Sequence, residues 1–254
     1  MCLVCDAEKA DDLASRRGFF KRLGGASAGF TLLGLGLAMG GHTSSAFAKG
    51  EKALPKPQNV VSPEAALDRL MAGNARYVDG LAKRHDFRHE REPLTKGQNP
   101  YAAILSCADS RIAPEYAFDT GRGDLFVCRV AGNFANDDVV ASLEYAVAIL
   151  NTPLIMVLGH EACGAVDATI TSLKDNTTLP GHLPSLVASL APAVKASEHE
   201  PGDALANAIR QNVVLNVEKL QGAGPILKAH VDEGKLRVVG ATYKLADGHV
   251  GLVA

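Results

Sequence analysis

Several common functional signatures are missing from this chain, and each absence removes a class of function. The 254 residues include no tryptophan, and the formal net charge is only −2. Residues 49–254 carry 21 basic and 24 acidic side chains, without a basic patch that would indicate nucleic-acid binding. Residues 49–254 contain neither a Gly-x-Ser-x-Gly nucleophile motif nor a Gly-x-x-x-x-Gly-Lys phosphate loop. The segment Gly222-Ala-Gly224 lacks the third glycine of a dinucleotide fingerprint.

Long apolar runs are also scarce, and the one candidate resembles an export signal. Ser15-Arg16-Arg17-Gly18-Phe19-Phe20-Lys21 has the twin-arginine pattern, and a weakly apolar, glycine-rich stretch follows over residues 23–41. Ala46-Phe47-Ala48 is a small-x-small cleavage site, and no other run approaches the roughly 20 residues of a membrane span. We therefore predict a twin-arginine signal peptide over residues 1–48, cleaved after about Ala48. The mature chain, residues 49–254, would be a single periplasmic domain without a stable membrane span, delivered by the twin-arginine export machinery.

Two short motifs hold most of the polar chemistry. The first runs from Cys107 to Arg111 and includes Asp109, and the second contains His160 and Cys163. Two thiols and an imidazole form a zinc ligand set that leaves the fourth tetrahedral position open to water. An open site beside an Asp109–Arg111 pair favours hydration or hydrolysis chemistry. If the backbone at residues 107–111 is extended, alternate side chains point to one side of it.

The hydrophobic pattern places both motifs at the ends of strands. The apolar runs 101–106 and 153–158 are typical of parallel strands buried on both faces, and each ends at one of the motifs. Ligands in open α/β sheets bind at the carboxyl ends of such strands. We predict an α/β fold with a central, mostly parallel β-sheet flanked by helices. Further strands are expected at 235–239 and 250–253, and helices from Ser62, over 137–150, from Gly164 and over 204–220. The proline-rich region 176–202 gives the least guidance.

The motifs, taken together, resemble those of the β-class carbonic anhydrases. The family pattern combines Cys-x-Asp-Ser-Arg, Arg-x-x-Gly-Asn, Glu-Tyr-Ala and Gly-His-x-x-Cys-Gly. The matching segments here are Cys107–Arg111, Arg129–Asn133, Glu144–Ala146 and Gly159–Gly164. Weaker similarity extends from Leu70–Asn74 to Gly240–Tyr243, so the resemblance covers most of the chain after residue 60.

The resemblance implies a zinc lyase that reversibly hydrates carbon dioxide to bicarbonate and a proton. Each subunit would hold one Zn²⁺ on Cys107, His160 and Cys163, with Asp109 and Arg111 as catalytic residues. A substrate groove would be formed by Gln98, Phe126, Tyr145 and Gly164. Judged from the sequence alone, Phe126 lies in an apolar run and favours a core position. Some family members have a second bicarbonate site that includes a tryptophan, and its absence here argues against that form of regulation.

Two other functions remain open at this point. Hydrolysis of carbon disulfide or carbonyl sulfide on the same scaffold would use the same motifs. Alternatively, Cys128 could complete a closed zinc site of three cysteines and one histidine, which would make the protein a non-catalytic structural domain. Cys128 follows apolar residues in a predicted strand, where a free cysteine usually packs as a small apolar side chain.

The resemblance also implies assembly, because β-class enzymes are at least dimers with shared active sites. We expect a homodimer or a tetramer, with Phe126 and Tyr145 near the interface. The helix that begins at Ser62 precedes the first core strand and has little sheet of its own to cover. It is therefore expected to pack on the partner subunit.

Overall fold

The computed structural model describes residues 60–86 and 88–254. The predicted export signal and its cleavage site lie outside the described residues. The strands are β1 (Ala102–Ser106), β2 (Leu125–Arg129), β3 (Leu154–His160), β4 (Arg237–Tyr243) and β5 (Val250–Leu252). The helices are α1 (Pro63–Val78), α2 (Arg91–Leu94), α3 (Pro114–Ala117), α4 (Asp137–Ala148), α5 (Gly164–Lys174), α6 (Leu183–Ser197), α7 (Ala204–Gln221) and α8 (Ile226–Asp232).

The strands form one five-stranded sheet in the order β2-β1-β3-β4-β5. The pairs β1–β2, β1–β3 and β3–β4 are parallel, and β5 runs antiparallel to β4. All residues of β1 and β3 are buried, as their uninterrupted apolar runs predicted. The prediction of a mostly parallel sheet flanked by helices is confirmed.

Both faces of the sheet are covered. Along β3, Met156 and Leu158 face a core shared with α1 and α3, while Ile155 and Val157 face a core shared with α4, α7 and α8. Leu67 and Leu70 of α1 belong to the first of these cores. The expectation that α1 has little sheet of its own to cover is therefore wrong. This helix covers one face of its own sheet.

The helix starts follow the capping chemistry of the sequence. Ser62 accepts a hydrogen bond from the Ala65 N–H and Pro63 occupies the first turn of α1, as predicted. Asn136 and Asp203 cap α4 and α7 in the same way. The proline-rich region contains α6, which has Pro184 in its first turn and a second proline, Pro192, inside.

Helix α7 lies close against the sheet because two strand residues facing it have no side chain. A Cβ at Gly159 would lie 2.7 Å from the Val213 side chain, and one at Gly240 would lie 2.6 Å from the same residue. The close approach places the middle of α7 beside the carboxyl end of β3. Within the described part of the chain, none of the helices combines the length and apolar character needed to cross a membrane.

Candidate metal centre

Three metal-binding side chains converge at the carboxyl edge of the sheet. Cys107 directly follows β1, His160 is the last residue of β3, and Cys163 caps the amino terminus of α5. Their ligand atoms all lie within 4.8 Å of one another, and the residues are at most 3% exposed. Because β1 and β3 are adjacent and parallel, their carboxyl ends meet at the same edge. The predicted ligand set is therefore brought together by the fold.

The orientation of His160 favours a metal ligand. Its Nδ1 donates a hydrogen bond to the Glu161 carbonyl oxygen over 2.8 Å, so in the neutral imidazole Nε2 carries the lone pair. Nε2 is buried and makes no hydrogen bond within the described residues. A buried nitrogen without a partner is costly unless something accepts its lone pair, and a metal ion does so. The donor set therefore fits a divalent cation.

The two thiols influence each other strongly. The pKa of Cys107 is lowered to about 4, first by a hydrogen bond from Cys163, with a smaller contribution from the Gly132 N–H. The pKa of Cys163 is raised, first by the Cys107 sulfur and then by burial. The N–H groups at the start of α5 lower the pKa of Cys163, as is general for a thiol at a helix amino terminus, but this contribution is outweighed. A cation between the sulfurs would compensate both thiolates.

Asp109 and Arg111 form a bidentate ion pair beside the ligands. Arg111 donates from Nε to Oδ1 of Asp109 over 2.9 Å and from Nη2 to Oδ2 over 2.7 Å. Hydrogen bonding from Arg111 is the main reason that the pKa of Asp109 lies well below its usual range. Oδ2 of Asp109 lies 3.9 Å from Nε2 of His160, and Nη2 of Arg111 also bonds the Ala162 carbonyl over 3.0 Å. The carboxylate is therefore ionised and held next to the donor cluster.

The pair forms through a turn and not through an extended backbone. The Ile112 N–H bonds the Asp109 carbonyl over 3.3 Å, and the Arg111 N–H bonds Oδ1 of Asp109 over 2.9 Å. The expectation that residues 107–111 are extended, with alternate side chains on one side, is wrong. An aspartate side chain that accepts from the N–H two residues later is a local turn, which Asp favours.

A second loop supports Cys107 and was missed by the sequence analysis. The Gly132 N–H donates to Sγ of Cys107 over 3.3 Å, and Nδ2 of Asn212 bonds the Gly132 carbonyl over 2.8 Å. Asn216, one turn later on α7, accepts from the Ala135 N–H over 2.7 Å. Both asparagines are buried. The sequence does contain one indication of this contact, which is a pair of asparagines four residues apart on the apolar face of a predicted helix. Amide side chains in such a position require hydrogen-bond partners.

Three of the four residues predicted to form a substrate groove, Gln98, Phe126 and Tyr145, lie away from the candidate metal ligands of their own chain. Gln98 is exposed in the loop that precedes β1, at the opposite edge of the sheet. Phe126 is paired in register with Ala103, four residues before Cys107, which corresponds to about 13 Å along a strand. The rings of Phe126 and Tyr145 contact each other, with centroids 6.3 Å apart. Gly164, by contrast, directly follows Cys163 and is exposed, with open space where a Cβ would be.

Cys128 does not join the ligand cluster. It lies on β2 and packs with Phe126 on the sheet face covered by α4, whereas Cys107 and Cys163 pack with Leu190 and neighbouring side chains. Burial raises the pKa of the Cys128 thiol. The alternative of a closed site with three cysteines and one histidine is therefore wrong. Within residues 60–86 and 88–254, the only cluster of three or more metal-binding side chains consists of Cys107, His160 and Cys163.

Comparisons with known proteins agree with this geometry. A family model described as carbonic anhydrase matches residues 102–250, which contain all three candidate ligands. The chain belongs to the carbonic anhydrase family. Carbonic anhydrase 2 of Mycobacterium tuberculosis is 38% identical over 192 residues, which are 75% of this chain and 93% of that protein. This level of similarity over most of both chains identifies the protein as an enzyme of the carbonic anhydrase family.

Solved structures place this carbonic anhydrase in the β class. The β-carbonic anhydrase CcaA is 28% identical with a TM-score of 0.57, over 74% of this chain and 98% of that chain. A tetrameric β-carbonic anhydrase of the ascomycete Sordaria macrospora shares the fold, with a TM-score of 0.60 at 22% identity over 75% and 98% of the two chains. β-Carbonic anhydrases are zinc enzymes, and Cys107, His160 and Cys163 could hold the ion in this chain.

Proposed function

We propose that this protein is a zinc-dependent enzyme that reversibly hydrates carbon dioxide to bicarbonate and a proton. Cys107, His160 and Cys163 would hold one Zn²⁺ per subunit. The observation that carries the proposal is the cluster of three buried donors within 4.8 Å, with an ionised carboxylate 3.9 Å from His160 Nε2. Three protein ligands with an open fourth position are typical of catalytic zinc sites.

The residues of the site divide the work between them. When bound, Zn²⁺ lowers the pKa of a coordinated water so that a nucleophile is available near neutral pH. The Asp109 carboxylate accepts a hydrogen bond from the attacking water and orients it toward the carbon of carbon dioxide. Arg111 keeps that carboxylate ionised and fixed through two parallel hydrogen bonds. The bond from His160 Nδ1 to the Glu161 carbonyl fixes the ring orientation.

We also propose a homodimer, which could pair into a tetramer, with substrate residues shared between subunits. Gln98, Phe126 and Tyr145 lie away from the ligands of their own chain, so they are free to line the site of a partner. Strand β2 is an edge of the described sheet, its first four residues are only half buried, and Tyr145 beside it is 47% exposed. An apolar edge strand of this kind favours pairing with another chain. Sedimentation at micromolar concentration tests this, and a fully active monomer would contradict it.

The sequence further supports export, which we propose delivers the folded, zinc-loaded chain to the periplasm. On that route zinc would be bound before Cys107 and Cys163 reach an oxidising compartment, so the two thiols would be protected from forming a disulfide. Cell fractionation and amino-terminal sequencing of the mature protein test the proposal. We expect the exported form to begin near Lys49, and replacing Arg16 and Arg17 by Lys should retain the chain in the cytoplasm.

The activity itself is tested by stopped-flow measurement of carbon dioxide hydration on the zinc-loaded protein. Turnover of carbon disulfide and carbonyl sulfide is measured beside it. We expect rapid hydration that disappears when zinc is removed and returns when zinc is restored. X-ray absorption of the same sample should show a shell of two sulfurs. Turnover of carbon disulfide without hydration, or a shell of three sulfurs, would refute the proposal.

A further inference from the structure

Arg129 is the first residue of the Arg-x-x-Gly-Asn motif, and the proposed mechanism gives it no role. The contacts of its side chain indicate one. It is the last residue of β2 and is paired in register with Ser106, the residue before the ligand Cys107. Its Nε donates to the Cys107 carbonyl over 2.9 Å. Its Nη2 donates to the Asp109 carbonyl over 2.7 Å and to the Ile112 carbonyl over 2.9 Å.

These three carbonyl groups belong to the loop of residues 107–112, which carries a metal ligand and the catalytic carboxylate. The loop leaves β1 and turns back at residue 112, so its carbonyl groups do not follow the pairing of a strand or a helix. Within the described residues, Arg129 makes no ion pair with a carboxylate, and its side chain donates to these three oxygens. A guanidinium presents five N–H groups in a rigid fork. A single arginine side chain can therefore bond three carbonyl groups and fix their positions relative to one another.

We propose that Arg129 is a positioning residue that sets the shape of the loop of residues 107–112, so that Cys107 and Asp109 face the metal position together. It acts through the backbone and touches neither the substrate nor the metal. This inference rests on the proposed zinc site. It adds a residue on a neighbouring strand to the Arg111 side chain, which holds Asp109, and the Glu161 carbonyl, which holds the ring of His160.

The test uses Arg129→Lys, which keeps the positive charge and most of the side chain length but loses the fork. A lysine cannot bond all three carbonyls in the same geometry, so we expect zinc to dissociate about tenfold faster and kcat to fall about tenfold, with KM little changed. The cobalt-substituted variant should show altered absorption bands, since these report the arrangement of the ligands. Arg237→Lys, at the opposite end of the sheet, is the matched control and should behave as the wild type.

Two further measurements separate positioning from a general structural role. Hydrogen exchange of the peptide covering residues 107–112 needs no metal, and it should become about tenfold faster in Arg129→Lys while the exchange of α7 is unchanged. Guanidinium ion, added at tens of millimolar to Arg129→Ala, should restore part of kcat and slow zinc loss, whereas ammonium should not.

Each contrary result bears on a distinct claim. If the wild type fails to retain zinc, both the proposed function and the role of Arg129 are refuted. If the wild type retains zinc and Arg129→Lys matches it in zinc loss, cobalt spectrum and local exchange, the role of Arg129 alone is refuted. If Arg129→Lys loses activity only in proportion to a general loss of folded protein, the positioning role is also refuted.

Discussion

Replacing Asp109 by asparagine separates the catalytic role of this carboxylate from its part in the fold. The side chain accepts three hydrogen bonds from Arg111, over 2.9, 2.9 and 2.7 Å. The Arg111 side chain is 50% exposed, so solvent screens the ion pair and its contribution to the free energy of unfolding is small. An asparagine oxygen can still accept from the Arg111 N–H. We therefore expect the folded structure and the zinc content to be retained.

The effect on turnover should be much larger. Misplacing a reacting group by about 1 Å costs about 10²-fold, which corresponds to about 2.7 kcal/mol of transition-state stabilisation. Asparagine presents an NH₂ group in place of the second carboxylate oxygen, so the attacking water should lose its orientation and Asp109→Asn should lose about 10²-fold in turnover. If Asp109 served only to hold Arg111, the loss would stay near the stability effect, below about fivefold.

The assay is stopped-flow hydration of carbon dioxide, with zinc content and thermal unfolding measured on the same preparation. Asp247→Asn is the matched control, because Asp247 also accepts a backbone N–H in a local turn, over 2.9 Å, at an exposed position. We expect the control to keep the wild-type rate. A loss below tenfold in Asp109→Asn with full zinc content would remove Asp109 from the mechanism.

Three other predictions concern the ligands and the packing that supports them. Cys163→Ser should abolish hydration and release zinc, because the site has no spare ligand, whereas Cys128→Ser should keep both activity and zinc. Zinc release is measured with a chelating dye, and equal zinc loss in the two variants would overturn the ligand assignment. Gly73→Ala should destabilise the fold by about 1–3 kcal/mol in chemical denaturation, since the added Cβ would lie 1.9 Å from a backbone carbonyl oxygen, and an unchanged midpoint would contradict this packing. Asn212→Ala leaves the Gly132 carbonyl without its hydrogen-bond partner, so we expect a loss of about 1–3 kcal/mol of stability and faster zinc dissociation. Wild-type values for both would show that Asn212 does not support the loop beside Cys107.

The architecture and the ligand set were predictable from the sequence because their signals are local. The uninterrupted apolar run of β3 indicated a strand buried on both faces, and the polar residues at its end marked the carboxyl edge of the sheet. Ser62 followed by Pro63 located the start of α1. Spacing and residue type were sufficient to single out Cys107, His160 and Cys163 as candidate ligands, and the fold brings their donor atoms within 4.8 Å of one another.

The parts that the sequence did not predict depend on contacts between distant segments. Helix α1 packs on its own sheet because Leu67 and Leu70 join its core, and periodicity alone does not say which surface an apolar face covers. The pKa of Cys163 is raised by a sulfur 56 positions earlier in the chain, which outweighs the local effect of its own helix. The contact of Asn212 with the Gly132 carbonyl joins residues 80 positions apart. The only indication of it in the sequence is a polar residue on the apolar face of a helix.

The buried hydrogen bonds of Asn74 couple the docking of α1 to the formation of β5. From α1, its amide donates to the Ala117 carbonyl over 2.9 Å and to the Gly248 carbonyl over 2.8 Å, and its oxygen accepts from the Val250 N–H over 2.9 Å. Two of these three bonds need residues 174 and 176 positions later. During synthesis, a buried Asn74 would lack these two partners until β5 leaves the ribosome, at about 1–3 kcal/mol for each unsatisfied group. Docking of α1 is therefore coupled to the synthesis of β5, which disfavours stable packing of α1 before that strand is available.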